Sequence, residues 1–133
     1  MTKKEVIENL RNVLNYSYSP YSKIRVSSAI KYKHEGGEKI EFGANVENVS
    51  YGLTNCAERT AVFSAISKGM NSISEVYVMS NLDEPILPCG ACRQVLAEFI
   101  KSPSEVKIFC FNEAGDEIKY NFEELLPNSF KRR

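Results

Sequence analysis

Two short stretches decide the fold, TNCAERTAV at residues 54–62 and PCGACRQVL at residues 88–96. The first predicts a helix that continues to Lys68, and the second predicts a helix that ends near Lys101. Between them, EVYVMS at residues 75–80 is short, apolar and β-branched, which is typical of a buried strand. The alternation of helix, strand and helix predicts a parallel α/β unit.

Three cysteines lie at the predicted beginnings of these helices. Cys56 opens the first helix, and Cys89 and Cys92 open the second. In a parallel α/β unit, successive helices lie side by side on one face of the sheet, with their N-termini at the same end. The predicted fold therefore brings three cysteines that are distant in sequence to a single point.

The remaining patterns extend this unit to a larger sheet. The order of predicted elements is α-β-β-α-β-α-β-β-α, which indicates an α/β protein of three layers, α/β/α, with a mixed sheet of about five strands. Thr2 and Glu5 match a capping box before the first helix. The other predicted elements are a helix from Lys3 to Tyr18 that is broken at Pro20, a hairpin of strands 25–32 and 38–46 around KHEGGE, strands 105–112 and 116–122 around EAGD, and a helix at 122–126.

Length and composition fit a single globular domain that spans residues 1–133. Lys+Arg and Asp+Glu are both 17, and this neutral balance argues against a dedicated nucleic-acid binder. The N-terminal stretch has no apolar signal-peptide core, and no run approaches the length of a membrane span, so we expect a cytoplasmic location and no membrane partner. The four cysteines are then expected to be ligands or thiols rather than disulfides.

The spacing Cys89-x-x-Cys92 suits a zinc site, although redox dithiols use the same spacing. Cys56 supplies a third thiolate. Three protein ligands and one open position are the pattern of a catalytic zinc, whereas structural zinc sites usually close with four. Two further residues could supply a fourth ligand, but Cys110 is predicted to be buried in a strand and His34 to be solvated in a polar turn.

Two charged residues lie two and three positions after Cys56 on the predicted helix. Glu58 is either a general acid–base group or an ordinary first-turn acid that the helix dipole favours. Arg59 either lies on the surface or directs its donors at the thiolates.

The motif C-x-E followed by P-C-x-x-C resembles the signature of the zinc-dependent cytidine deaminase superfamily, in which three cysteines can replace a histidine and two cysteines. Five blocks resemble successive segments of the small free-nucleoside cytidine deaminases: SPYSK, GANVENVSYG, NCAERTAVF, PCGACRQVL and EELLPNSF. These blocks cover nearly the whole chain, and the resemblance implies a cytidine deaminase-like fold.

The resemblance also implies a mechanism. Cys56, Cys89 and Cys92 would hold one Zn²⁺ per subunit, and zinc-bound hydroxide would attack C4 of the cytosine ring. Glu58 would take a proton from the water, pass it to N3 and then protonate the departing amine. Cytidine and deoxycytidine would yield uridine and deoxyuridine with release of ammonia, as in pyrimidine salvage. Because Zn²⁺ with three thiolates has a net charge of −1, Arg59 and the two helix N-termini are expected to restore the acidity of the metal.

The same resemblance assigns the substrate contacts. Asn45 and Glu47 would bind the 3′-hydroxyl of the ribose, and the backbone N–H of Ala57 would contact the pyrimidine carbonyl. Tyr51 and Phe130 would enter the site from neighbouring subunits of a homotetramer.

Three positions depart from the family pattern. Family members commonly carry an aromatic residue that stacks on the base where this chain has Ile24, so we expect aliphatic contact and weaker substrate binding. Ser27 and Ser28 likewise replace the usual Gly-Ala pair.

Three other functions are compatible with parts of the pattern. A non-catalytic zinc module would need a fourth protein ligand and would have no use for Glu58. A deaminase of a cytosine-containing antibiotic shares the three-cysteine zinc chemistry, but the pair Asn45 and Glu47 and the presence of Arg59 favour the nucleoside enzyme. A polynucleotide-editing deaminase is disfavoured by the neutral charge, the short chain and the C-x-E form of the motif.

Overall fold

The computed structural model describes residues 1–132 and consists of one mixed sheet with helices on both of its faces. The elements follow the predicted order, and a short 3₁₀ turn that was not predicted lies at Tyr51–Leu53. Their bounds are α1 Lys3–Leu14, β1 Val26–His34, β2 Gly37–Ala44, α2 Ala57–Ser67, β3 Ser72–Ser80, α3 Gly90–Glu98, β4 Lys107–Asn112, β5 Glu117–Asn121 and α4 Phe122–Leu125.

The sheet has five strands in the order β2-β1-β3-β4-β5. The pairs β1–β2, β1–β3 and β4–β5 are antiparallel, and β3 pairs with β4 in parallel. Helix α3 lies in the connection between these two parallel strands, as a parallel pair requires. The predicted α/β class and the mixed sheet of about five strands are therefore confirmed.

Two hydrophobic clusters hold the three layers together. The larger one fills the space between the sheet and helices α2, α3 and α4, and the smaller one lies between the opposite face and α1. The larger cluster includes Ile30, Val62, Val78, Leu96, Ile108 and Phe122, and the smaller one includes Leu10, Leu14, Met79 and Phe111. Within residues 1–132 no helix combines the length and the apolar character needed to cross a membrane.

The first helix begins as predicted but ends earlier. Thr2 and Glu5 form the predicted capping box, with both reciprocal hydrogen bonds present. The predicted continuation to Tyr18 and the break at Pro20 are wrong, because the helix ends at Leu14. The Tyr18 N–H donates to the Asn45 carbonyl at 3.0 Å, so the chain leaves the helix to pair with the segment after β2. A tertiary contact here overrides the local helical pattern.

The hairpin between β1 and β2 turns through Glu35 and Gly36, whose φ angles are 46° and 80°. Positive φ at both positions matches the twist that a two-residue hairpin turn requires. The paired glycines were predicted to form the turn, but Gly37 already belongs to β2.

Helix α2 lies unusually close to β2 at Gly43. A Cβ atom at this position would come within 2.6 Å of the Ala61 backbone nitrogen, 2.9 Å of the Thr60 Cβ and 3.0 Å of the Ala57 carbonyl. Since no real Cβ approaches backbone so closely, only glycine lets the helix rest on this strand. The close approach fixes the height of the first turns of α2 above the sheet.

We predict that Gly43→Ala lowers the free energy of unfolding by roughly 1–3 kcal/mol, because overpacking forces α2 away from the sheet. Gly37→Ala is the matched control on the same strand, since its nearest neighbour is the His34 carbonyl at 3.8 Å. Urea denaturation at equal zinc content measures both variants. Equal stabilities for the two variants would show that α2 does not depend on this contact.

Candidate active site

The N-termini of α2 and α3 carry the candidate metal ligands. Cys56 is the N-cap of α2, Cys89 is the N-cap of α3, and neither sulfur caps its helix by a hydrogen bond. Cys92 lies in the first turn of α3 and is buried. The sulfurs are therefore free to bind a ligand at the positive ends of two helix dipoles.

The distances between the sulfurs fit a zinc ion. The Sγ atoms of Cys56, Cys89 and Cys92 all lie within 4.8 Å of one another, and Cys56 and Cys89 are 3.9 Å apart. A disulfide would need about 2.05 Å. Tetrahedral zinc with Zn–S bonds of about 2.3 Å places two sulfurs about 3.8 Å apart. The predicted meeting of the three cysteines is confirmed, and their donor atoms suit zinc.

Neither candidate for a fourth ligand joins the three cysteines. Cys110 is fully buried in β4, as predicted. His34 was predicted to be solvated in a polar turn. It is instead the last residue of β1 and only half-buried, with its Nδ1 2.8 Å from the Gly69 carbonyl and its ring against Gly69 just beyond the C-terminal end of α2. Among residues 1–132 the cluster therefore has three protein ligands, and this argues against a closed structural zinc site.

Glu58 lies in the first turn of α2, two residues after the metal ligand Cys56, and only 5% of it is exposed. An ordinary first-turn acid would be solvated, because carboxylates are rarely buried without a partner or a function. Burial raises the pKa of the Glu58 carboxyl to about 7, and the charge on Cys56 adds to the rise. Such a carboxyl can accept and release protons near neutral pH.

The half-buried Arg59 directs its guanidinium at Cys56. Its Nη2 donates a hydrogen bond to the Cys56 sulfur at 3.2 Å, and its buried Nε has no hydrogen-bond partner in the described part of the chain, residues 1–132. A hydrogen bond with the Cys92 thiol is the main cause that lowers the pKa of Cys56 to about 5, and the Arg59 guanidinium is a further cause. The pKa of Cys92 is raised, mainly by the hydrogen bond with the Cys56 sulfur and next by burial. The Arg59 guanidinium thus lies beside the sulfur whose pKa is lowered.

The segment after β2 brings Asn45 and Glu47 to the beginning of α2. Val46 pairs with Asn55 through two backbone hydrogen bonds of 2.9 Å, and Asn55 directly precedes Cys56. The backbone of Tyr18 bonds to both neighbours of Val46. Its N–H donates to the Asn45 carbonyl, and its carbonyl accepts from the Glu47 N–H. Alternate residues of an extended segment face the same side, so Asn45 and Glu47 share one side of this bridge.

The side chains of Asn45 and Glu47 are held by groups that the sequence analysis did not identify. Asn45 accepts hydrogen bonds from the Ser17 hydroxyl and the Val26 N–H. Glu47 accepts bonds from the Ser22 hydroxyl and from the Ser22 and Tyr21 amides. The Ser22 hydroxyl holds the pKa of Glu47 below its usual value.

The other predicted substrate residues lie around this segment. Ala57 is fully buried at the first position of α2, where backbone amides have no partner within the helix. The Ile24 carbonyl accepts a hydrogen bond from Asn45 at 2.9 Å. Tyr51 is 74% exposed, and its ring centroid lies 5.7 Å from that of Tyr21.

Glu47 and Tyr51 both line a cavity of about 250 Å³. Phe130 does not line this cavity. It is 81% exposed, and its backbone carbonyl accepts a hydrogen bond from Gln94 of α3. The structure thus groups Tyr51 with Glu47 and leaves the ring of Phe130 on the surface.

Arg93 is a supporting residue that the sequence analysis missed. Its Nε donates to the Pro88 carbonyl at 2.8 Å, and its Nη1 donates to the Leu125 carbonyl at 2.8 Å. These bonds fix the chain just before Cys89 and connect it to α4. No local pattern could have revealed this role, because Leu125 lies 32 residues along the chain.

A family model described as the cytidine and deoxycytidylate deaminase zinc-binding region matches residues 1–109. The chain belongs to this deaminase family. The matched range contains all three cysteines, Glu58 and Arg59, so the geometry above describes the zinc site of a deaminase. The resemblance that the sequence motifs indicated is confirmed.

Whole-chain relatives support the same assignment. A cytidine deaminase from Halalkalibacterium halodurans is 42% identical over 130 residues, which cover 98% of this chain and 95% of that protein. A protein named probable cytidine deaminase from Dictyostelium discoideum is 38% identical over 97% of this chain and 84% of its own length. The crystal structure of cytidine deaminase from Burkholderia pseudomallei superposes with a TM-score of 0.86 at 40% identity, covering 98% of this chain and all of that one.

Proposed function

We propose that this protein is a zinc-dependent enzyme that hydrolyses cytidine and deoxycytidine to uridine and deoxyuridine with release of ammonia. The observation that carries the proposal is the buried carboxyl of Glu58 beside three cysteines that have no fourth protein ligand among residues 1–132. A module that only presents a surface would have no use for a carboxyl with a pKa near 7 at this position. The relatives that match the whole chain are named cytidine deaminases.

Glu58 would carry the protons of the reaction. Zinc held by the three cysteines would supply Lewis acidity, which lowers the pKa of water enough for hydroxide to form near neutral pH. Glu58 would accept a proton from the attacking water and deliver it to N3 of the ring while the oxygen bonds to C4. It would then take the remaining hydroxyl proton and deliver it to the amine, so that the C4–N bond breaks and ammonia leaves.

Arg59 would balance the charge of the site. Three thiolates carry one more negative charge than a divalent cation neutralises. The Arg59 guanidinium, 3.2 Å from the Cys56 sulfur, withdraws electron density from that thiolate, and the amides at the two helix N-termini act in the same direction. An electron-poor cluster is a better Lewis acid.

Asn45 and Glu47 would bind the 3′-hydroxyl of the sugar, and the Ala57 N–H would bind the pyrimidine carbonyl. The ionised carboxylate of Glu47 suits a hydroxyl donor. Because ribose and deoxyribose share the 3′-hydroxyl, this pair would accept both nucleosides. Ile24 would contact the base through aliphatic packing.

We further propose a role in pyrimidine salvage in the cytoplasm, because a free nucleoside is the substrate that such a site takes.

We also propose a homotetramer in which Tyr51 and Phe130 complete the sites of neighbouring subunits. Both residues expose most of their surface, and several apolar side chains near Tyr51 are also exposed. Large exposed apolar groups that lie close together commonly mark protein interfaces. The exposed apolar residues in this part of the chain are Val46, Val49, Tyr51 and Leu53.

We predict that Glu58→Gln lowers kcat for cytidine by roughly 10²–10⁴-fold or more, because Gln cannot transfer protons and Glu58 serves several transfers. The variant should retain one zinc per chain by elemental analysis. Glu98→Gln, at the exposed end of α3, is the control and should keep full activity. A Glu58→Gln enzyme within tenfold of the parent would mean that another group moves the protons. A zinc-loaded parent that is inert on both nucleosides would refute the proposed function.

We predict that Phe130→Ala raises KM for cytidine about 2- to 13-fold, since an aromatic contact is worth about 0.5–1.5 kcal/mol. Hybrids that contain Glu58→Gln and Phe130→Ala subunits test whether the site is shared. Some hybrid sites would combine Glu58 of one subunit with Phe130 of another, and these should restore the parental KM. Hybrids that retain only the raised KM, or a fully active monomer in light scattering, would contradict a shared site.

A further inference from the structure

Asn81 follows β3 directly, and its hydrogen bonds all go to one short stretch of chain. Its Oδ1 accepts from the Arg25 N–H at 2.9 Å, and its Nδ2 donates to the Lys23 carbonyl at 3.1 Å. Its own backbone N–H donates to the Arg25 carbonyl at 3.1 Å, which extends the β1–β3 ladder by one step. Asn81 thus holds residues 23–25 from one side by both its side chain and its backbone.

This stretch needs such a restraint because its backbone is strained. Lys23 has a φ of 63°, in the left-handed region that residues other than glycine rarely adopt. A cleft of about 440 Å³ lies beside the stretch, with Lys23, Arg25 and Asn81 in its wall. Packing therefore does not enclose this side of the stretch. The two side-chain hydrogen bonds of Asn81 oppose relaxation of Lys23 to an ordinary conformation.

The opposite side of the same stretch supports both proposed sugar-binding residues. The Ile24 carbonyl accepts from Asn45 Nδ2, and the Val26 N–H donates to Asn45 Oδ1, each at 2.9 Å. The Ile24 N–H donates to the Ser22 hydroxyl at 3.0 Å, and that hydroxyl donates to Glu47. A change in the backbone at residues 23–25 would therefore move the partners of Asn45 and Glu47 together.

We propose that Asn81 is a positioning residue for the sugar-binding side of the site. It fixes the strained conformation at Lys23, and through residues 22–26 it fixes the side chains of Asn45 and Glu47. This inference rests on the proposed function, in which that pair binds the nucleoside sugar. None of the hydrogen bonds of Asn81 goes to the three cysteines or to Glu58 among residues 1–132.

The cysteines are anchored independently of Asn81, although it begins the loop that leads to Cys89. Asn112 Nδ2 donates to the Asp83 carbonyl at 2.7 Å, and Arg93 Nε donates to the Pro88 carbonyl at 2.8 Å. These two bonds hold the loop between Asn81 and Cys89. Loss of the Asn81 side chain should therefore weaken substrate binding while zinc content and the chemical step stay unchanged.

The experiment compares Asn81→Ala with Asn71→Ala in the zinc-loaded enzyme. Asn71 is an exposed asparagine that directly precedes β3, as Asn81 directly follows it, and it bonds through its backbone to Lys33. Asn81→Ala should raise KM for cytidine about 5- to 30-fold, as expected for two lost side-chain hydrogen bonds, with kcat within about twofold of the parent. Hydrogen exchange should accelerate at residues 20–27. Asn71→Ala should change neither quantity.

A second substitution tests the role of the strained residue. Asparagine tolerates the left-handed region, whereas glutamine does not. Lys23→Asn added to Asn81→Ala should recover part of the lost affinity, and Lys23→Gln, which removes the same charge, should not. Equal effects of the two substitutions would contradict the proposed role of strain.

Two results would overturn the inference: an unchanged KM with unchanged exchange, or a loss of kcat at constant KM, which is the pattern of a merely structural residue. If the parent itself is inert on cytidine, the proposed function fails. Exchange at residues 20–27 then decides separately whether Asn81 holds this stretch.

Discussion

The meeting of two helix N-termini is the constraint on which the rest of the structure depends. Three thiolates on one divalent cation leave an excess of negative charge, and the N-termini of α2 and α3, where Cys56 and Cys89 are the N-caps, are positions that favour such charge. The fold fixes both helices. Gly43 lets α2 rest directly on β2, and Arg93 holds the chain before Cys89. The buried core is thus arranged so that the charged site lies at one end of the sheet.

The sugar-binding side of the proposed site is built by different means. Asn45 and Glu47 lie outside regular structure, and hydrogen bonds from Ser17 and Ser22 orient them. A buried polar group such as Asn45 is costly unless it is paired, and the bonds to Asn45 and to the half-buried Glu47 also restrain the loop that supplies them. The metal ligands depend on helix packing, whereas the proposed substrate contacts depend on a network of loop hydrogen bonds. The two parts of the site should therefore respond to different substitutions.

The sequence predicted well whatever depends on local rules. The spacing of Cys89 and Cys92, the position of Cys56 at a helix start and the capping box at Thr2 are local, and each was found in place. What the sequence missed depends on distant partners. Helix α1 ends at Leu14 because the following chain pairs with Asn45, a contact that no periodicity reveals. Arg93 with Leu125, Asn81 with Lys23 and His34 with Gly69 are further cases in which a side chain binds backbone from another part of the fold.

We propose that three cysteines and Glu58 form one zinc-dependent site for hydrolysis of cytidine. The most direct test removes the metal with a chelator, returns zinc in steps and follows ammonia and uridine together from cytidine. We expect no turnover without metal, a rate that rises in proportion to zinc until one ion is bound per chain, and equal amounts of ammonia and uridine. Full turnover by the metal-free protein, or a protein that binds one zinc per chain and releases no ammonia, would contradict it.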